Sequence, residues 1–245
     1  MRVRSPVAVA AVLLGATLVS WVVAVQQMRG TMGGPGADLG ALGAFVGIWV
    51  TMTAAMMLPS VAPIALLHAR VSSERARRGG SFLPTWLFLG GYLAAWTGYG
   101  LAAYGLYRLI RAVDRNALDW HTYGAQVAGA AVAAAGIYQL TPLKRVCLRH
   151  CRSPLHFVMH RWRDGGVGAL RMGLEHGTYC VGCCFGVMLI LFVVGVMSLF
   201  WMAVVAAVIF AEKVLPYGDR LTRVIAGALL ALGVWIAVAA ASVPG

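Results

Sequence analysis

Long apolar runs alternate with short basic connections along this chain. The runs lie near 7–25, 41–67, 82–107, 122–140, 174–197, 199–211 and 224–241. A hydrocarbon core roughly 30 Å thick needs about 20 apolar residues per helical crossing, and most of these runs meet that length. The pattern predicts an all-α, polytopic transmembrane helix bundle of about seven helices, forming one integral membrane domain over 1–245. Pro59 and Pro63 remove backbone donors near the end of the second run and predict a bent or opened helix end beside Ser60. Gly43 with Gly47, and Gly182 with Gly186, have the small-xxx-small spacing that lets membrane helices approach closely.

Composition agrees with a bilayer as solvent. Residues are 60% hydrophobic and 11% charged, and mean hydropathy is +0.79, too little polar material to coat a soluble globule of 245 residues. The net charge of +12 would suit nucleic acid, but its placement argues against that partner. Of the 20 lysines and arginines, only Arg29, Arg108, Arg111 and Arg115 fall on one side of the expected topology. The positive-inside rule then puts the N-terminus, with Arg2 and Arg4, in the cytoplasm, and makes anionic lipid the expected partner of the basic loops at 68–81 and 143–173. The basic start before an apolar run resembles a signal peptide. Without a small-residue cleavage site near Trp21–Gln27 it is expected to stay as the first helix.

All five cysteines lie between Cys147 and Cys184, on the expected cytoplasmic side, where thiols stay reduced. His176, Cys180 and Cys184 follow at four-residue steps, and Cys183 falls beside them. At about 100° per residue, His176, Cys180 and Cys183 fit within roughly 60° of one helix face. Met172 and Met188 extend that stripe. Imidazole and thiolate together make half of a soft-metal site, and another helix must supply the rest. Met52 and Met56, with Met57 displaced around the second helix, are candidate thioether ligands. Cys147 and Cys151 share an i, i+4 face, where Lys144, Arg145, Arg149 and Arg152 are expected to lower their pKa values. His156 and His160 repeat that spacing in a setting that suits a solvated pair. Glu212 is a carboxylate close to hydrocarbon, which calls for a cationic partner, with metal ligation or proton transfer as the alternative. The ends at Pro59, Gln139–Pro142, Cys180–Cys184 and Glu212 all fall in one membrane half.

These residues also carry a resemblance. TMTAAMMLPSVAP, GIYQLTPLKRVCLRHCRSP, HGTYCVGCCFGVM and WMAVVAAVIFAEK resemble, in order, the signature blocks of a bacterial family of predicted metal-binding integral membrane proteins, catalogued as a domain of unknown function. The likeness runs from Trp49 to Lys213. It implies a multi-pass protein of the bacterial cytoplasmic (inner) membrane and points to Met56, Met57, Cys147, Cys151, Cys180, Cys183, Cys184 and Glu212 as presumed metal residues. The chain departs from the family at Ser198, where Asn is usual, and at Phe185, where Trp is usual.

The expected function is handling of a soft transition metal, copper(I) first and zinc second, with delivery to a recipient metalloprotein. Cys180, Cys183 and Cys184 would form the thiolate core, His176 a nitrogen ligand, Met52 or Met56 the facing thioether, and Cys147 with Cys151 the cytosolic transfer pair. Binding is expected ahead of catalysis. The alternatives are a thiol oxidoreductase using the Cys180-x-x-Cys183 couple, a metal transporter, or an accessory subunit of a membrane enzyme. A homo-oligomer is compatible with the pattern, and no nucleotide-binding glycine loop is present.

Overall fold

The computed structural model describes residues 6–30, 40–79, 84–113, 120–194, 199–215 and 217–241. Arg2, Arg4, Ser81, Arg115 and Ser198 lie outside the described residues. Among those described, nine helices and no strands occur: α1 Pro6–Gly30, α2 Leu42–Arg77, α3 Thr85–Val113, α4 Trp120–Leu140, α5 Pro142–Arg152, α6 Pro154–Arg161, α7 Gly165–Val194, α8 Leu199–Val214 and α9 Gly218–Ala241. Each apolar run overlaps one of the seven longer helices. Three stretches, Val7–Gln27, Leu42–Arg77 and Gly218–Ala239, are long and apolar enough to cross a membrane. Large apolar side chains on α1 and α9, such as Leu14, Leu18, Val234 and Trp235, are exposed, as a lipid-facing surface requires.

The connection expected as a loop over 143–173 contains two short helices instead. Thr141 caps α5, its hydroxyl accepting from the Lys144 amide at 3.3 Å, and Pro142 begins the first turn. Pro154 starts α6 in the same way. Boundaries also differ from expectation, among them that of α9, which begins at Gly218 rather than near 224. α2 continues to Arg77 because His68, Ala69 and Ser72 are buried, so its last turns pack rather than unwind. α3 runs on to Val113, and α7 begins at Gly165, whose φ of 82° makes the left-handed turn before it.

Pro59 and Pro63 leave α2 continuous, although they withdraw the donors for the Ala55 and Pro59 carbonyls. The burial of Met56, Met57, Leu58 and Val61 around them holds the helix through that loss. α2 packs on α1, α3, α6 and α8, and α7 on α3, α4, α5 and α8.

Close helix approach occurs elsewhere than at Gly43 and Gly47, where an added methyl would meet nothing among the described residues. Gly182 packs on Cys147 and Gly186 on Tyr138, as the spacing in α7 predicts. The tightest crossing joins α3 and α7. A β-carbon at Gly91 would overlap the Leu170 carbonyl, and one at Gly173 the Phe88 carbonyl. Backbone cannot yield as a flexible side chain can, so Gly173→Ala is expected to cost about 1–3 kcal/mol or more. A fall in the thermal midpoint of the detergent-solubilised protein is the readout, and an unchanged midpoint would contradict this crossing.

Candidate metal centre

α7 carries the cysteine stripe into the interior. His176, Cys180, Cys183 and Cys184 are all buried, with Met172 and Met188 above and below them on the same face. The partner that completes the cluster comes from α5. Cys151 places its sulfur 3.6 Å from that of Cys183, and the sulfurs of Cys151, Cys180 and Cys183 all lie within 4.8 Å of one another. Cys184 adds a fourth sulfur 3.4 Å from Cys183. The Cys183 thiol also donates to the Cys180 carbonyl at 3.2 Å, one turn back along the helix.

Two polar groups converge on Cys180. The Lys213 ammonium, at the end of α8, lies 3.0 Å from its sulfur and 3.2 Å from the Ser60 hydroxyl of α2. Tyr92 of α3 lies 3.0 Å from the same sulfur through its hydroxyl. α3 and α8 therefore meet α7 at one thiol, with α2 joined through Lys213. Neither Tyr92 nor Lys213 stands out in the sequence as part of a site: one is a tyrosine in an apolar run and the other a basic residue at a helix end.

Cys147 lies apart from this group, buried with its sulfur against Gly182. The α5 cations do not lower the two α5 thiols. Burial pushes the Cys147 thiol up, and Cys151 is raised through its hydrogen bond to Cys180. Arg145 and Arg149 are exposed, Arg152 binds the Leu215 carbonyl at 2.7 Å and Asp219 at 3.3 Å, and Lys144 turns inward.

Lys144 meets Glu212. Its ammonium lies 2.8 and 2.9 Å from the two carboxylate oxygens, and it also donates to Gln139. Gln139 and Thr222 donate to the same carboxylate at 3.3 and 3.1 Å. The cluster ties α4, α5, α8 and α9 together with Lys144 and Glu212 only 0% and 3% exposed. Glu212 thus has the cationic partner that its position demands.

Met52, Met56 and Met57 are buried along α2. Met57 borders the site through Ser60, whose hydroxyl lies 3.8 Å from its sulfur, while Met56 and Met52 sit about one and two turns from Ser60 along α2. His176 stacks among Phe88, Tyr92 and Phe157, and its Nδ1 has no hydrogen-bond partner. His156 and His160 are exposed and stack on each other.

Chemically, the arrangement offers three soft sulfurs with a neighbouring positive charge, screened from water. Three thiolates bound at about 2.3 Å to one ion sit roughly 3.8–4.0 Å apart, so this sulfur set has the right scale for a single metal. A comparison with curated proteins finds no match, nor does one with solved structures. A family model described as PpoB2, copper chaperone, matches residues 46–236.

Proposed function

Because this chain belongs to the PpoB2 copper chaperone family, we propose that it carries Cu(I) on the sulfurs of Cys151, Cys180 and Cys183 and passes the ion to a recipient metalloprotein. In this reading the chain is a single membrane domain that crosses the bacterial inner membrane about seven times, with the sulfurs near its cytoplasmic end. The observation that carries it is the meeting of the α5 sulfur with the two α7 sulfurs within 4.8 Å.

Thiolates suit Cu(I), which is soft and accepts low coordination numbers. With one of the three sulfurs kept as a neutral thiol, two thiolates and Cu(I) carry one negative charge, and the Lys213 ammonium cancels it, which matters where uncompensated charge is costly. Low coordination also suits delivery, since a thiolate of the recipient can add to the ion before a Cys–Cu bond breaks. Cys184 supplies an alternative sulfur beside Cys183 for that exchange. His176 stands one turn from Cys180 as a nitrogen donor, and Met57, Met56 and Met52 line the facing helix. Cys147 packs α5 on α7, and Glu212 positions α5 through Lys144 without binding the ion. Zn(II) on three thiolates balances the same lysine, so the identity of the metal is read directly.

Elemental analysis of the protein, purified reduced and anaerobically in mild detergent, is expected to find about one copper per chain. The Cys151/Cys180/Cys183→Ser variant should lose it. One zinc per chain in place of copper would overturn the Cu(I) assignment. Absence of any metal after loading, with freely titrating thiols, would overturn metal handling at this site. It would favour thiol redox chemistry, for which the 3.6 Å gap between Cys151 and Cys183 is the supporting geometry.

A further inference from the structure

Two buried histidines retain a ring nitrogen with no partner: Nε2 of His68 on α2 and Nδ1 of His176 on α7. They are 0% and 3% exposed. A buried polar group left unsatisfied costs about 1–3 kcal/mol, and a phenylalanine would fill either space without that cost. The two imidazoles flank one ring, with Phe88 stacked 5.2 Å from His68 and 6.1 Å from His176. The other nitrogen of His68, Nδ1, lies 3.3 Å from the Thr85 hydroxyl. Metal-binding histidines are oriented in this way, one nitrogen held by a hydrogen bond and the other left for the ion.

The outer side of His68 is separated from solvent by one layer of side chains. Trp162 stacks on it at 5.3 Å and donates through Nε1 to Asp164 at 3.0 Å. Arg75 lies over the Trp162 ring at 4.9 Å and pairs with Asp164 at 3.2 Å. Arg75 and Asp164 are exposed, so His68 lies beneath a polar cap open to solvent. On the inner side, His176 sits one helical turn from Cys180 and one from Met172, both fully buried.

We propose that His68 and His176 form a loading path for Cu(I), taking the ion from a soluble Cu(I)–thiolate complex beneath Trp162 and handing it to Cys180. This path rests on the Cu(I) reading of the three sulfurs. Carrier and destination both hold copper by thiolate, so the direction comes from the three converging sulfurs at the end of the path, and the imidazoles, as the weaker ligands, hold the ion only in passing. The chemistry is ligand exchange, with no electron transferred: at entry a Cu–S bond of the carrier breaks as a Cu–N bond to His68 forms, and at the end a Cu–N bond breaks as the Cu–S bond to Cys180 forms.

The test separates rate from affinity in the full-length chain in detergent. Cu(I) held by glutathione is mixed with the reduced protein and its transfer is followed in stopped flow, while stoichiometry and affinity are measured at equilibrium against a chromophoric Cu(I) chelator. His68→Phe keeps the stack between Phe88 and Trp162 and removes only the nitrogens. It is expected to slow loading by about tenfold or more while leaving equilibrium affinity within roughly threefold. His68→Met, which restores a soft donor, should recover most of the rate. Wild-type loading in His68→Phe would overturn the path, and so would equally slow loading in both variants, which would assign the effect to packing. Failure of the wild-type chain to take up copper at equilibrium is a different result, and overturns the three-sulfur reading itself.

Discussion

Glu212→Ala is expected to lower the unfolding free energy by about 3–5 kcal/mol, because it strands the Lys144 ammonium in the interior without its anion. The loss is large for a reason visible in the partners. Both carboxylate oxygens accept from Lys144 and one also accepts from Gln139, so one truncation leaves two buried donors short of an acceptor, while Thr222 keeps the Gly218 carbonyl at 2.9 Å. Replacing both members, as Lys144→Met with Glu212→Leu, should recover much of the stability, since a well-packed apolar pair needs no compensation. Denaturant titration in detergent measures both changes. Wild-type stability in Glu212→Ala would sink this account. The same substitution should weaken copper binding indirectly, by freeing the start of the helix that carries Cys151. X-ray absorption at the copper edge should then show sulfur ligation in the wild-type chain and no carboxylate oxygen; a carboxylate oxygen would make Glu212 a ligand after all.

Cys151→Ser and Cys147→Ser are expected to separate sharply, although the two residues share one helix face. Loss of Cys151 removes a sulfur from the group that lies within 4.8 Å. It should cost more than the roughly 10–100-fold in affinity that removing an outer-shell partner typically costs. Cys147 is occupied in packing against Gly182, and serine there should change affinity by no more than about threefold, a modest packing effect. Competition against a Cu(I) chelator reads both. Equal losses would place the ion on the α5 cysteine pair and overturn the assignment to the α5–α7 contact.

Much of the site's raw material is legible from local periodicity. The step of 100° per residue puts His176, Cys180 and Cys183 on one face whatever surrounds them, and all are buried together with Met172 and Met188. The expected convergence of chain ends is also present, since Ser60, Cys180 and Lys213 touch, as do Gln139, Lys144 and Glu212. The roles of the cations depend on tertiary contacts. Lys144, grouped by sequence with Arg145, Arg149 and Arg152, turns inward to a carboxylate 68 positions away. Lys213 supplies the charge beside the thiols instead.

What the sequence determined by itself is therefore the part set by short-range rules. Apolar run length yields an all-helical chain with stretches able to cross a membrane, and helical spacing yields the buried cysteine stripe. Thr141-Pro142 and Ser153-Pro154 also hold the start signals of the two short helices, though in a basic stretch they read as loop. Only the tertiary structure decided that Cys151 and not Cys147 joins the α7 sulfurs, that Tyr92 and Lys213 hold Cys180, and that His68 stacks near His176 across Phe88. Each of those choices depends on which faces of distant helices meet. That is settled by close backbone approach at Gly91 and Gly173 and by the need to pair a buried charge, neither of which leaves a periodic trace along the chain.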